Sequence, residues 1–269
     1  IDGSTSAHAI TANGNVTQGS FGPFARPDGE WAVDFNGTSD YLNAATSAGF
    51  AFGTGDYTIE TFVFCTNSNG TNKTIWSNHW SGTGQLLMTY DHPNSGAKKF
   101  GFFDAAYNAG TPILISAVFE PNQWVHVAIV RSSGVVKMYI NGDVQATATQ
   151  TTNLTKDIFC LGSVYSTSAV QPWAGYISNA RIVKGTAVYT SAFTPPTEAL
   201  TAITGTTLLT CQNNRFIDNS VSAHAITVSG NTSVTPSSPF ATAEVYDPAV
   251  NGASGYFDGT GDYLTTATD

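Results

Sequence analysis

Residues 124–144, WVHVAIVRSSGVVKMYINGDV, constrain this chain more than any other stretch. The first run carries Val125, Val127 and Ile129 on one alternating face and Trp124, His126, Ala128 and Val130 on the other. Apolar residues on both faces mark a strand that is covered on both. Ser132-Ser133-Gly134 turns the chain into a second run, where Val136, Met138 and Ile140 alternate with Val135, Lys137 and Tyr139. One face of that run is expected to be fully buried and the other not. Asn141-Gly142-Asp143 then makes a second turn, Asn-Gly being a strong hairpin signal. A hairpin of this length needs a second sheet over it, which points to a sandwich.

The rest of the chain keeps the same rhythm. Strands are expected over residues 57–65, 73–76, 85–90, 98–103, 113–119, 158–161 and 173–183, separated by Gly-, Asn- and Ser-rich turns. No stretch of ten or more residues has helical periodicity. Only 11% of residues are charged, against about 25% in ordinary soluble domains, so the polar surface consists of Thr, Ser, Asn and Gly. That mixture is common in extracellular β-proteins. A net charge of −9 argues against nucleic acid and anionic membranes as partners, and no apolar run reaches the ~18 residues that a membrane-spanning helix needs. Cys65, Cys160 and Cys211 lie singly in apolar runs, without disulfide or zinc spacing, and read as buried thiols.

The chain also repeats itself. IDNSVSAHAIT at 217–227 matches IDGSTSAHAIT at 1–11, an offset of 216 positions, and FDGTGDYL at 257–264 matches FNGTSDYL at 35–42, an offset of 222. Repeats at this spacing are whole domains. The expected division is therefore a module over 1–205 and the N-terminal part of a second copy over 206–269. Pro195-Pro196 marks the exit of the first module and 197–205 a linker. The run TTLLTC at 206–211 reads as a module's first strand, whose counterpart for the first module would precede Ile1. The chain then reads as a window on a tandem array. The alternative is a subunit whose segment 206–269 docks on the next copy to build a head-to-tail filament.

Several of these stretches together resemble one family. Trp124-Val125-His126-Val127-Ala128 with its turn and Asn-Gly, Asp34-Phe35-Asn36-Gly37-Thr38-Ser39-Asp40-Tyr41-Leu42, the segment Phe52-Gly53-Thr54-Gly55-Asp56-Tyr57, and GYISNARIVKG at 175–185 occur in the order seen in laminin G-like domains. These are concanavalin A-like lectin/glucanase jelly rolls, and the resemblance is to the modules of bacteriophage structural and tail-fibre proteins. It implies an all-β, antiparallel two-sheet jelly-roll sandwich, tandemly repeated. It leaves the ligand open, because the fold hosts lectins, hydrolases and spacers alike.

Catalytic constellations are not found. A retaining glycosidase needs two carboxylates about 5 Å apart, whereas Glu30, Glu60, Glu120, Glu198 and Glu244 lack a strand-borne partner, and Glu60 matches a structural glutamate in the resembling family. No Gly-x-Ser-x-Gly elbow, His-Glu-x-x-His or phosphate loop occurs. A binding role fits better. Trp76, His79, Trp80, Tyr90, Asp91 and His92 cluster in two loops and their flanking strands, where rings offer flat faces to sugars and polar groups meet hydroxyls. The simpler reading is that Trp76 and Tyr90 are core residues, which leaves only His79, Trp80 and His92 near the surface. Asp40 and its repeat Asp262, with Asp34 nearby, are calcium candidates, against the simpler reading that such aspartates cap tight turns. No other cofactor is expected.

The expectation is therefore a non-catalytic structural or adhesive module of a repeated surface fibre or virion appendage, extracellular or on the virion surface. Its partners would be copies of itself and cell-surface glycans. The alternative is a secreted carbohydrate-binding module accessory to an enzyme. If Trp80 is a sugar anchor, Trp80→Ala lowers glycan affinity by roughly 1–3 kcal/mol without moving the melting curve. A large fall in melting temperature would place Trp80 in the core instead.

Overall fold

The computed structural model describes residues 10–13, 17–19, 29–79, 84–104, 111–165, 168–240, 254–256, 261 and 263–266. The chain divides into two compact units, Asp28–Phe240, and Ile1–Pro27 with Ala241–Asp269. In chain order the strands are β1 (Ile10–Asn13), β2 (Thr17–Gly19), β3 (Ala32–Asn36), β4 (Tyr41–Ala44), β5 (Tyr57–Cys65), β6 (Lys73–Ser77), β7 (Leu87–Tyr90), β8 (Lys99–Phe103), β9 (Leu114–Val118) and β10 (Trp124–Ser132). There follow β11 (Val135–Ile140), β12 (Asp143–Thr149), β13 (Phe159–Leu161), β14 (Ala174–Lys184), β15 (Thr206–Thr210), β16 (Ile226–Ser229), β17 (Ser233–Thr235), β18 (Ser254–Tyr256) and β19 (Tyr263–Thr266). No helix among the described residues is long and apolar enough to cross a membrane.

The larger unit is an all-β sandwich of the jelly-roll kind. One antiparallel sheet runs β12-β11-β10-β5-β14-β3-β17, with β15 also on β14, and the other runs β16-β4-β13-β6-β7-β8-β9. Alternation sends Ile59 and Val63 of β5, Val125, Val127 and Ile129 of β10, and Val136, Met138 and Ile140 of β11 inward. There they meet Trp76, Met88, Phe100 and Phe102 of the facing sheet. Each large side chain buried this way contributes roughly 1.5–3 kcal/mol. Cys65, Cys160 and Cys211 are free and buried, so the core, rather than cystine staples, carries the stability of this unit.

The central hairpin forms as its sequence dictates, with β10 and β11 in the register Ile129↔Met138. A third strand, β12, continues it beyond the Asn141-Gly142 turn. The outer face of β11 departs from expectation, because Tyr139 is fully buried while Val135 stays exposed. The cause is residues 185–205, which include the expected exit at Pro195-Pro196 and linker at 197–205. They form a strap over the outer face, and Tyr189 and Phe193, stacked 3.6 Å apart, cover Ala128, Val130 and Tyr139.

Beneath the strap lies a buried polar cluster. The Glu60 carboxylate accepts from Arg181 Nε at 2.8 Å and Nη2 at 2.6 Å, from Tyr189 Oη at 2.8 Å and from His126 Nε2 at 3.2 Å. Arg181 Nη1 also donates to the Thr201 carbonyl, tying the strap to the sheet.

The pairing of β14 runs across the expected boundary at 205/206. This eleven-residue strand bonds β5 along one edge, while its other edge is shared end to end by β3 and β15. Residues 206–240, expected to open a second module, thus belong to the larger unit. β15 completes β14, β16 pairs with β4, and β17 pairs with β3. The physical reason is backbone satisfaction, since the second half of a central strand cannot stay unpaired. The stretch at 217–227 folds around Asp218, whose carboxylate accepts the amides of Leu209, Ser220 and His224 at 2.9 Å each. In the smaller unit β1 pairs with β19 and β2 with β18.

Burial pushes the Glu60 pKa up, but the His126 hydrogen bond and the Arg181 charge outweigh it, and the net shift is downward. Its contribution to stability is therefore complete above about pH 4.3, the ordinary glutamate value, and is lost as the pH falls through the depressed folded value. Glu60→Gln leaves a buried guanidinium without its counter-charge and is expected to cost about 3–5 kcal/mol in urea unfolding at neutral pH. The gap to wild type narrows below pH 4. Equal stability of the two proteins at pH 7 would refute this account.

Candidate functional site

The described residues among the expected site do not converge on one surface. Trp76 is 1% exposed, its ring stacked on Phe159 with centroids 5.6 Å apart, and Tyr90 is as deeply buried, its hydroxyl donating to the Phe119 carbonyl at 2.6 Å. Both are core residues and cannot stack on a ligand. Asp91 sits just past β7 with φ 62°. Its carboxylate accepts from the Gly70 amide at 2.8 Å, the Lys98 amide at 2.9 Å and Ser68 Oγ at 3.0 Å. Burial raises its pKa, those donors lower it further, and the net shift is downward. Asp91 therefore staples the loop after β5 to the turn before β8. His92 is buried against Phe103, accepts the Asn94 amide at Nδ1, and has its pKa lowered by burial. His79 is half-buried, its ring 6.3 Å from that of Tyr165. Trp80 lies outside the described residues.

Of the calcium candidates, Asp262 also lies outside the described residues. Asp40 is 1% exposed and acts as a turn clamp, its Oδ2 accepting the Asn36 amide at 2.9 Å and its Oδ1 the Asn231 amide at 2.7 Å. Among the described residues no group of three His, Cys, Asp or Glu side chains is arranged to hold a metal ion.

Two features missed by the sequence reading lie together at one end of the sandwich. The strap covers the outer face of the β10-β5-β14 layer around Glu60, but the far end is less covered. There the registers Trp124↔Phe64 and Tyr176↔Phe64 bring three half-buried rings onto one face. Their centroids lie 5.7 Å (Phe64–Trp124), 5.6 Å (Phe64–Tyr176) and 6.3 Å (Trp124–Tyr176) apart. Asp34 is opposite Tyr176 on β3, with its pKa raised by burial and by the neighbouring Asp40. These residues are remote in sequence, so only strand register could have revealed the cluster.

Beside it opens a cleft of about 550 Å³ lined by amides and hydroxyls, among them Asn36, Asn67, Asn69, Asn72 and Gln171. Ala174, two residues before Tyr176, forms part of its wall. Lys73 at its base is not a free cation. Its ammonium donates to Asn69 Oδ1 at 2.8 Å and to Thr71 at 3.2 Å, with the Asp91 carboxylate 4.0 Å away. The side-chain nitrogen and oxygen of Asn72 are both buried and meet no hydrogen-bond partner. An unpaired buried amide is costly, which makes this a strained point in the cleft wall. The cleft is thus suited to a neutral, polyhydroxylated molecule, with rings nearby for its apolar faces.

Residues 36–195, more than half of the chain, match the laminin G-type family model described as the concanavalin A-like lectin/glucanases superfamily. The chain belongs to this superfamily. Solved structures agree in fold. A candidate carbohydrate-binding protein from Bacteroides ovatus superposes with a TM-score of 0.54 at 16% identity, over 78% of this chain and 60% of its own. The chain therefore spans about three-fifths of that protein. A heptameric SAP-like pentraxin from Limulus polyphemus gives 0.56 at 13% identity, over 81% of this chain and 100% of the pentraxin. No curated protein matches the sequence significantly. At such identities the likeness to these superfamily structures is one of fold alone.

Asp40→Ala would leave the amides of Asn36 and Asn231 without their acceptor, an expected loss of roughly 1–3 kcal/mol each in chemical unfolding. Adding calcium or EDTA to the wild type is expected to leave the unfolding midpoint unmoved, because both Asp40 oxygens are already engaged. A calcium-dependent midpoint that disappears in Asp40→Ala would reverse the assignment.

Proposed function

We propose that Asp28–Phe240 is a non-catalytic carbohydrate-binding or adhesive module that holds a neutral glycan in the amide-lined cleft, with Trp124 and Tyr176 against the sugar faces. The observation that carries this reading is the amide-lined cleft beside the half-buried aromatic cluster of Phe64, Trp124 and Tyr176. The superfamily membership and the carbohydrate-binding description of the Bacteroides ovatus protein support it. Glu60, the strand glutamate, is engaged by Arg181 and Tyr189 under the strap, which supports a structural rather than a catalytic role.

The repeated stretches at 1–11 and 217–227, and at 35–42 and 257–264, support a wider role for the whole protein. In that role the module recurs in a surface fibre or virion appendage outside the cell, and calcium plays no part at Asp40.

A glycan array with the full chain, followed by titration of the best ligand, tests the site. Trp124→Ala and Asn72→Ala are each expected to weaken binding by roughly 1–3 kcal/mol while leaving the register of the core strands intact. Absence of any retained glycan, or variants that bind as wild type does, would overturn the proposal. Release of reducing ends from a polysaccharide, abolished by Glu60→Gln, would overturn its non-catalytic part.

A further inference from the structure

The two units contain the same strand junction. In the larger unit Ile226, Thr227, Val228 and Ser229 face Ala44, Asn43, Leu42 and Tyr41. In the smaller unit Ile10, Thr11, Ala12 and Asn13 face Thr266, Thr265, Leu264 and Tyr263. The second strands agree as well. Ser233, Val234 and Thr235 face Asp34, Val33 and Ala32, while Thr17, Gln18 and Gly19 face Tyr256, Gly255 and Ser254. One side of each ladder is related by 216 positions and the other by 222, the two offsets at which the sequence itself repeats. A slip of one residue would break this agreement, so the match at every bridging pair means that the two leading segments pair in the same backbone register.

Each leading segment nevertheless pairs away from the strands that follow it in sequence. Residues 10–19 lie shortly before β3 and β4 but bond β18 and β19. Residues 226–235 lie shortly before β18 and β19 but bond β3 and β4. The chain is therefore already crossed, and nothing in the backbone ladder distinguishes one donor from the other. The clamp across the larger unit's junction, from the Asp40 carboxylate to the Asn231 amide, has its sequence counterparts in Asp262 and Asn15. When a donor segment comes from another copy, every one of these contacts is retained. Such an exchange has little enthalpic cost and is governed by concentration against an effective concentration within the chain of about 1 mM.

We propose that the segment 206–235 of one copy of this chain closes the sandwich of a second copy, so that copies join head to tail by strand exchange. β15 completes β14 with Leu208 and Cys211 entering the core, and β16 and β17 then cap β4 and β3 in the registers above. This rests on the reading of 217–264 as a second copy of the opening stretches, and the experiment separates the two.

Tyr41 and Ser229 are register partners, both half-buried, and within the Cα spacing a disulfide tolerates. Three samples of the full chain are denatured, refolded under mild oxidation and sized. The double variant Tyr41→Cys/Ser229→Cys is expected to close within one chain, which verifies the register. An equimolar mixture of Tyr41→Cys and Ser229→Cys, refolded together at high micromolar concentration, is expected to give a cross-linked heterodimer whose share falls on dilution. The double variant Asn13→Cys/Tyr41→Cys is expected to close as well, because the upstream segment can take the place of the downstream one. If the first and third samples close but the mixture gives no heterodimer, exchange between chains is overturned and the repeat reading stands. If the third fails, the leading segments are not interchangeable and both readings fall. If the first fails, the register and the proposal fall together.

Discussion

A long central strand has to be hydrogen-bonded along both edges, and β14 meets that requirement with segments from distant parts of the chain. β5 serves one edge over nearly the whole length. The other edge changes partner at Asn179, which has φ 51° and lies in a bulge of the β5 ladder. Its buried side chain then joins the pieces. Nδ2 donates to the Gly29 carbonyl at 3.2 Å, and Oδ1 accepts the Leu200 amide and Gln212 Nε2 at 3.0 Å each. One asparagine thus holds the approach to β3, the strap and the exit of β15 at a single point. Because buried polar groups are expensive when unpaired, these three segments are fixed together or not at all.

That junction decides what the outer face of the sheet can do. Once the strap is anchored at Leu200 and at the Thr201 carbonyl, its Tyr189 and Phe193 must lie over Tyr139, and Glu60 is sealed beneath them with Arg181. The strap covers one part of the face and leaves the end carrying Trp124, Phe64 and Tyr176 only half-buried. The same end carries the Asn-lined cleft, kept in shape by Asp91 as it draws the loop after β5 toward the turn before β8. The proposed binding surface therefore depends on which part of one sheet the strap leaves uncovered.

The registers explain why the chain tolerates being crossed. Strand pairing specifies backbone bonds, and the two leading segments make them in the same register. Backbone register alone therefore does not choose between them.

The fold was legible from local pattern alone. Alternation in 124–140, Gly- and Asn-marked turns and low charge determined an all-β sandwich, and the strands at 57–65 and 124–132 fall where the sequence places them. The burial of the cysteines was legible for the same reason, since isolated thiols in apolar runs behave as small hydrophobes. The site was not. Trp76 and Tyr90, in strands flanking the loops, are claimed by the inner face, while Phe64, Trp124 and Tyr176 are spread over more than a hundred residues of the chain and meet only through two ladders. The likeness of the stretches at 1–11 and 217–227 is legible in the sequence too, but it says which segments are alike and not which of them pair. That choice belongs to tertiary structure, because backbone hydrogen bonds are satisfied by whichever strand reaches the edge in register.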